Sequence, residues 1–211
     1  MPWNILLWRA SDDRFVADKI LMPPWSTQHR ICPPSHVKSH NREVIQGNSA
    51  TTDSLSEKEL DEKYLSIINI RGRGYQKFSI DHRISFEPVD EEEAERLESQ
   101  HQVLNRVFDN RLIFPPVPRL RRILDCGYGA GSWAVDVAER HPDCEVIGVD
   151  ISPHMNPDDT PENLWLQVDD LNHPFTFPSN HFDLVHSRLV ATGINRARWP
   201  GYIRDIQRSG I

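Results

Sequence analysis

The chain has 211 residues, a formal net charge of -7, a mean hydropathy of -0.56, 38% hydrophobic residues and 16 prolines. That length allows one sizeable core with an appended segment, and the acidic balance argues against nucleic acid as a partner, because phosphates are bound mostly by Lys and Arg. Cys32, Cys126 and Cys144 have no CxxC spacing, which fits a reducing intracellular setting, cytoplasm or nucleus, rather than a disulfide framework.

Residues 1–53 open on MPWNILLWRASDD, an apolar run that stops at Arg9 and has no basic leader. Neither a secretory signal nor a membrane span is expected. MPPW, CPPSH and QGNSATTD follow without a sustained period, so the expectation is a disordered, Pro-rich arm. His29, Cys32, His36 and His40 are metal-ligand types, but Pro33 and Pro34 interrupt them and no second ligand pair follows. No metal is expected there.

Residues 54–118 read as helix, hairpin, helix, a helical lid. Ser56 and Glu59 form a capping box ahead of KELDEKYLSII. RGRGYQKF at 71–78 supplies a turn between β-formers. In the next helix Asp90 is the N-cap and Glu93 stands at N3, with Glu91 and Glu92 at the positive end of the helix dipole. Ala94, Leu97, His101, Leu104 and Phe108 recur at helical spacing and define one buried face. PPVPR at 115–119 closes the segment as a stiff linker.

Residues 119–211 alternate strand and helix signals, which predicts an α/β fold with a doubly wound, Rossmann-like parallel sheet. RRILDC is the first strand and SWAVDVAERHP its helix; CEVIGVD, LWLQVDD and HFDLVHSRLV are three more strands, and WPGYIRDIQRS a final helix. Ligands of such sheets bind outside the carboxyl ends of the strands. Gly127, Gly129, Gly131, Asp150 and Asp169 all stand at those ends.

A dinucleotide fingerprint is GxGxxG after an apolar strand. Here the loop is GYGAG, with Ser132 at the final glycine position. Asp125, two residues before the first glycine, would repel a pyrophosphate and favour an ammonium group. S-adenosylmethionine carries an ammonium and a sulfonium and no phosphate. Asp150 is placed for the two ribose hydroxyls, a contact shared with NAD. Asp169 is placed for the adenine amino group, with the backbone of Asp170 beside it. The constellation predicts S-adenosylmethionine as cofactor.

ILDCGYGAGSWAVDVAERHPDCEVIGVDISP resembles the first motif and second strand of class I methyltransferases. Trp133 and HPDCEVIGVDISP resemble in particular the fungal LaeA-like group, methyltransferases of secondary metabolism and its regulation. DEEEAERLESQHQV, RGRGYQKF and VDDLNHPFTFPSNHFDLVHSR are similar to further segments of that group, so the resemblance covers about residues 70–208. It implies a methyltransferase acting on a small-molecule acceptor or a regulatory protein. The family commonly has Leu, Thr and Thr where this chain has Cys126, Tyr128 and Ala130. It also runs on through three further strands, so by resemblance the chain is C-terminally truncated and HFDLVHS would be an open edge, inviting self-association.

HSR at 186–188 stands where methyltransferases often keep substrate-facing residues, so Arg188 is a pocket candidate. His186 is a candidate general base near its ordinary pKa, or a hydrogen-bonded structural histidine. Tyr75 and His101 are candidates for lining the pocket through the lid; on an apolar helix face, His101 also reads as a buried, satisfied histidine. Three functions follow: a methyltransferase of secondary metabolism, a non-catalytic cofactor- or partner-binding protein of the same family, and an NAD-dependent oxidoreductase, which Asp125 and Ser132 oppose.

Overall fold

The computed structural model describes residues 6–9 and 61–210. In chain order its strands are β1 (Leu6–Arg9), β2 (Ile67–Ile70), β3 (Arg73–Gln76), β4 (Arg122–Cys126), β5 (Glu145–Asp150), β6 (Leu164–Val168) and β7 (Leu184–Arg188). The helices are α1 (Lys77–Asp81), α2 (Glu91–Val107), α3 (Ser132–Arg140) and α4 (Trp199–Ser209). The main sheet runs β1-β7-β4-β5-β6, with β7, β4, β5 and β6 parallel. The predicted doubly wound α/β sheet is borne out, with the strand order reversing beside β4.

Alternation along β4 builds two cores. Ile123 packs with Val146, Leu164 and Leu184 under Trp133, Ala134, Val137 and Ala138 of α3. Leu124 and Cys126 face the other side, where Val149 and Val185 meet Tyr202 and Ile206 of α4. A strand covered on both faces reads as a continuous apolar run, which is why RILDC and EVIGVD are legible as buried parallel strands. Tyr202 is fully buried, and its hydroxyl is satisfied by Ser187 Oγ at 2.8 Å. Cys126 and Cys144 are buried free thiols; burial pushes the Cys144 thiol up to about 11 and the Cys126 thiol higher still.

The structure corrects two expectations. The arm is not uniformly irregular, because Leu6–Arg9 form β1, which pairs antiparallel with β7 from Leu6↔Arg188 to Arg9↔Val185. The β7 edge is therefore covered over those residues, and the self-association expected of an open edge loses its basis. Removing residues 1–9 is expected to uncover that edge, at about 1 kcal/mol for each lost hydrogen bond, and to raise the apparent mass in solution through aggregation. Light scattering on the shortened and the full chain checks this; an unchanged mass would show that β1 is dispensable.

The first lid helix is also replaced. Residues 54–60, including Ser56 and Glu59, lie outside the described residues, as do His29, Cys32, His36 and His40. After them Asp61 caps a single 3-10 turn, Glu62–Tyr64, and Ile67–Ile70 is a strand. Ile67, Ile68 and Ile70 are β-branched and suit a pleated strand. Arg71 (φ 53) and Gly72 (φ 84) make the two-residue turn into β3, with both residues left-handed, as such hairpins require.

The second lid helix, α2, forms as its sequence predicts. Asp90 Oδ1 accepts from the Glu93 N–H at 3.0 Å. The same carboxylate takes both arms of Arg73, each at 2.7 Å, and the Gly74 N–H at 3.0 Å. The Arg73 guanidinium and these amides hold the Asp90 carboxyl well below its usual range. One residue thus caps α2 and fastens the hairpin to it.

At Tyr128 the chain carries a ring in the glycine loop where the family commonly has Thr. It is buried, and its hydroxyl donates to Asn156 Oδ1 at 2.7 Å. Its ring fills the space above Gly148, where an added Cβ would lie 2.9 Å from Tyr128 Cδ1. The large residue in the glycine loop and the small one in β5 are complementary.

Candidate functional site

The carboxyl ends of β4, β5, β6 and β7 open into one cavity of about 170 Å³, roofed by residues 76–101 of the lid. The loop after β4 sets its floor. Gly127, Gly129 and Gly131 have φ of 77°, 60° and 82°, a left-handed run that side chains disfavour. A Cβ on Gly127 would meet Val190 Cγ1 at 2.4 Å. The loop is a backbone cradle.

Around it stand the acids. Asp150, at the end of β5, accepts from Gly129 N–H at 2.9 Å and Ser152 N–H at 3.1 Å. Desolvation raises its carboxyl to about 6, although both amides and the backbone of Ile151 oppose the shift. Burial also raises Asp169, which accepts from the Asp170 N–H at 2.8 Å. Asp170 itself is turned into its own loop, accepting from the Asn172 backbone and side chain, each at 2.9 Å. Its carboxylate shapes the loop, and its N–H, whose backbone the sequence places beside the adenine, is engaged by Asp169.

Asp125 and His186 lie opposite each other on β4 and β7, and their side chains meet at 2.7 Å between Oδ1 and Nδ1. Both are buried, and the His186 ring stacks on Trp133 with centroids 3.6 Å apart. Burial lowers the imidazole pKa, with Asp125 pulling the other way, so the ring is neutral at pH 7 and donates Nδ1–H to the carboxylate. Of the two readings open from sequence, this contact favours the structural one: His186 orients Asp125. Trp133, whose Nε1 donates to Leu112 O at 3.1 Å, is the residue that sequence reasoning missed as a site element. Its place one residue into the helix after the glycine loop is the signal that marks it.

On the lid side, His101 is buried at 3% exposure. Arg188 Nη2 donates to its Nδ1 at 3.1 Å, so Nε2 carries the proton and donates to Asp136 Oδ2 at 3.0 Å. That chain joins β7, α2 and α3. Tyr75 does not line the cavity; alternation along β3 brings Gln76 there instead. Gln76 Nε2 donates to the Tyr64 and Ile151 carbonyls, each at 2.9 Å, and latches the lid to the loop beyond Asp150. Gly131 lies outside the lining as well, serving as the N-cap of α3 against Pro157.

Six carboxylates line the cavity (Glu87, Glu93, Asp125, Asp150, Asp169 and Asp170), against one guanidinium, Arg188. A pyrophosphate would meet that charge unfavourably, whereas a phosphate-free cationic nucleoside suits it. The cradle, the acids at the ends of β4, β5 and β6 and this charge balance all fit S-adenosylmethionine. The profile of a methyltransferase domain matches residues 123–209, the stretch that carries all of these strand ends. Residues 123–209 match a methyltransferase domain and resemble the LaeA-like group.

The domain's relatives agree. A secondary metabolism regulator laeA of Monascus pilosus is 38% identical over 138 residues, 64% of this chain and 36% of that protein. A secondary metabolism regulator laeA of Aspergillus flavus is 30% identical over 177 residues, 82% of this chain and 46% of that protein. A protein-methionine methyltransferase laeA of Emericella nidulans is 34% identical over 138 residues, 64% of this chain and 35% of that protein. The chain thus spans less than half the length of these curated relatives. The cofactor of the methyltransferase domain is S-adenosylmethionine. Asp125 would hold its ammonium, Asp150 its ribose and Asp169 its adenine. Among the described residues, no group of three or more His, Cys, Asp and Glu is placed to hold a metal ion, and no helix is long and apolar enough to cross a membrane.

Proposed function

We propose that this chain carries an S-adenosylmethionine-dependent methyltransferase activity of fungal secondary metabolism or its regulation. The observation that supports this best is the glycine cradle surrounded by Asp125, Asp150 and Asp169 at three successive strand ends. Bound S-adenosylmethionine supplies an electrophilic methyl on a sulfonium. The chain's own residues supply position and dryness. The three acids fix the orientation of the bound nucleoside and amino acid, and the lid residues Ile84, Val89 and Leu97 exclude water from the acceptor side. Displacement at a sulfonium needs few dedicated acids or bases, which suits a cavity whose two histidines are both engaged, His186 by Asp125 and His101 by Arg188 and Asp136.

The acceptor is a small molecule or a protein side chain; the Emericella nidulans relative is named for protein methionine. Incubating the chain with methyl-tritiated S-adenosylmethionine and a fungal extract is expected to label one or a few species. An Asp150→Ala control is expected to label none. Cofactor binding without any labelled product would replace this reading with that of a non-catalytic, cofactor-binding relative.

A further inference from the structure

A second hollow, a groove of about 290 Å³, lies between residues 110–120 and the C-terminal end of α3. It shares no lining residue with the cofactor cavity. One wall separates the two: Trp133 lines the cavity, and its Nε1 donates at 3.1 Å to the carbonyl of Leu112, which lines the groove. Ile113, Val117 and Leu120 make the groove apolar, and its charged side chains, Arg111 and Arg140, are both cationic. Among the described residues no carboxylate lines it, in a chain whose net charge is -7. The charge balance is the reverse of the cavity's.

Both arginines are positioned without being neutralised. Arg140 Nη1 donates to the carbonyl of Asn110 at 2.7 Å, which ties it to the residue before Arg111. Its Nη2 lies 4.0 Å from Asp136 Oδ2. Arg111 Nη2 donates to Phe114 O at 3.4 Å, with the guanidinium 5.2 Å from the centre of that ring. Each fork keeps donors suited to an oxyanion. A helix C-terminus ordinarily repels an anion. Here Asn163 Nδ2 donates to the carbonyls of Ala138 and His141, each at 3.1 Å, so the end of α3 is already capped. The other wall narrows the ligand further. Residues 115–118 read PPVP, with a single N–H, at Val117. An extended peptide would leave most of its carbonyls unpaired there. The volume stands at the small end of small-molecule sites, roughly 300–1,000 Å³. We propose that the groove binds a small amphiphilic carboxylate, its apolar chain on Ile113, Val117 and Leu120 and its head at Arg111 and Arg140. The proposal does not depend on what the cavity holds.

Calorimetric titration of the full chain with octanoate, 1-octanol and acetate tests this. Octanoate is expected to bind roughly tenfold or more tightly than 1-octanol, and acetate, which lacks the chain, not at all. Arg111→Gln and Arg140→Gln should each cut the preference for octanoate over 1-octanol by about threefold or more, as befits exposed ion pairs. Arg140→Lys should recover part of it. Because the preference is a ratio within one variant, a general loss of stability does not mimic the effect. Asp150→Ala, in the cofactor cavity, should bind octanoate as the unaltered chain does; a change there would move the ligand to that cavity and overturn the proposal. It is overturned equally if a cooperatively melting chain binds no octanoate, if the three compounds bind alike, or if both Gln variants keep the full preference.

Discussion

Replacing Asp150 by alanine is expected to weaken S-adenosylmethionine binding by at least about 100-fold, since two hydrogen bonds to a charged acceptor contribute about 1.5–3 kcal/mol each. The same residue makes binding depend on pH. Its carboxyl sits near 6 in the folded chain against an ordinary 3.8. Cofactor affinity should be level above pH 7 and fall by up to about tenfold per unit below pH 6, as the carboxylate takes up a proton. Stability moves the other way. An acid with a raised folded pKa binds its proton more tightly folded than unfolded, so its contribution declines as pH rises from about 4 to about 6 and stays low above that. Calorimetry and thermal melting across pH 5 to 8 read both slopes. An affinity that is flat across that range would remove Asp150 from the binding site.

The second large effect is expected at the glycine cradle. Gly127→Ala places a Cβ 2.4 Å from Val190 Cγ1 while keeping φ at 77°. A left-handed alanine costs about 1–2 kcal/mol and overpacking against a stiff β-branched neighbour about 1–3 kcal/mol. The variant should therefore lose roughly 2–5 kcal/mol of stability and bind no measurable cofactor. Gly74→Ala is the contrasting case. Its Cβ would meet Ile67 Cγ2 at 3.5 Å and Asp90 Cβ at 3.6 Å, ordinary contacts in a strand, so it should melt at or slightly above the unaltered chain. Urea denaturation of the pair separates steric clash from mere loss of a glycine. Equal stability of the two variants would mean that Val190 yields freely.

How far the sequence reaches depends on whether a contact is local. Strands β4 to β7 and helices α3 and α4 are legible from residue 120 onward because each is a single periodic run bounded by Gly, Pro or Asp. The cap of α2 is legible for the same reason, since Asp90 and Glu93 lie three residues apart. What escapes is chosen by partners far along the chain. Leu6–Arg9 become a strand only because β7 offers them an edge some 180 residues away. Ile67–Ile70 carry apolar residues that fit a helix or a strand, and the Arg71–Gly72 turn decides for the strand.

The site divides along the same line. Asp125, Gly127, Gly129, Asp150, Asp169 and Asp170 are positioned by their own strands, and the structure gathers all six around one cavity with His101, His186 and Arg188. Their roles are another matter. The pairing of Asp125 with His186, the stacking of that ring on Trp133, and the engagement of Asp170 by Asn172 need the folded register. Tyr75 and Gln76 differ only in which side of β3 they occupy, a distinction that the hairpin's register fixes.

The most direct test of the cofactor site is parallel calorimetric titration of the 211-residue chain with S-adenosylmethionine and with NAD. A cavity with six carboxylates and one guanidinium predicts micromolar binding of S-adenosylmethionine and none of NAD. Binding of NAD alone, or of neither by a chain that still melts cooperatively, would contradict it.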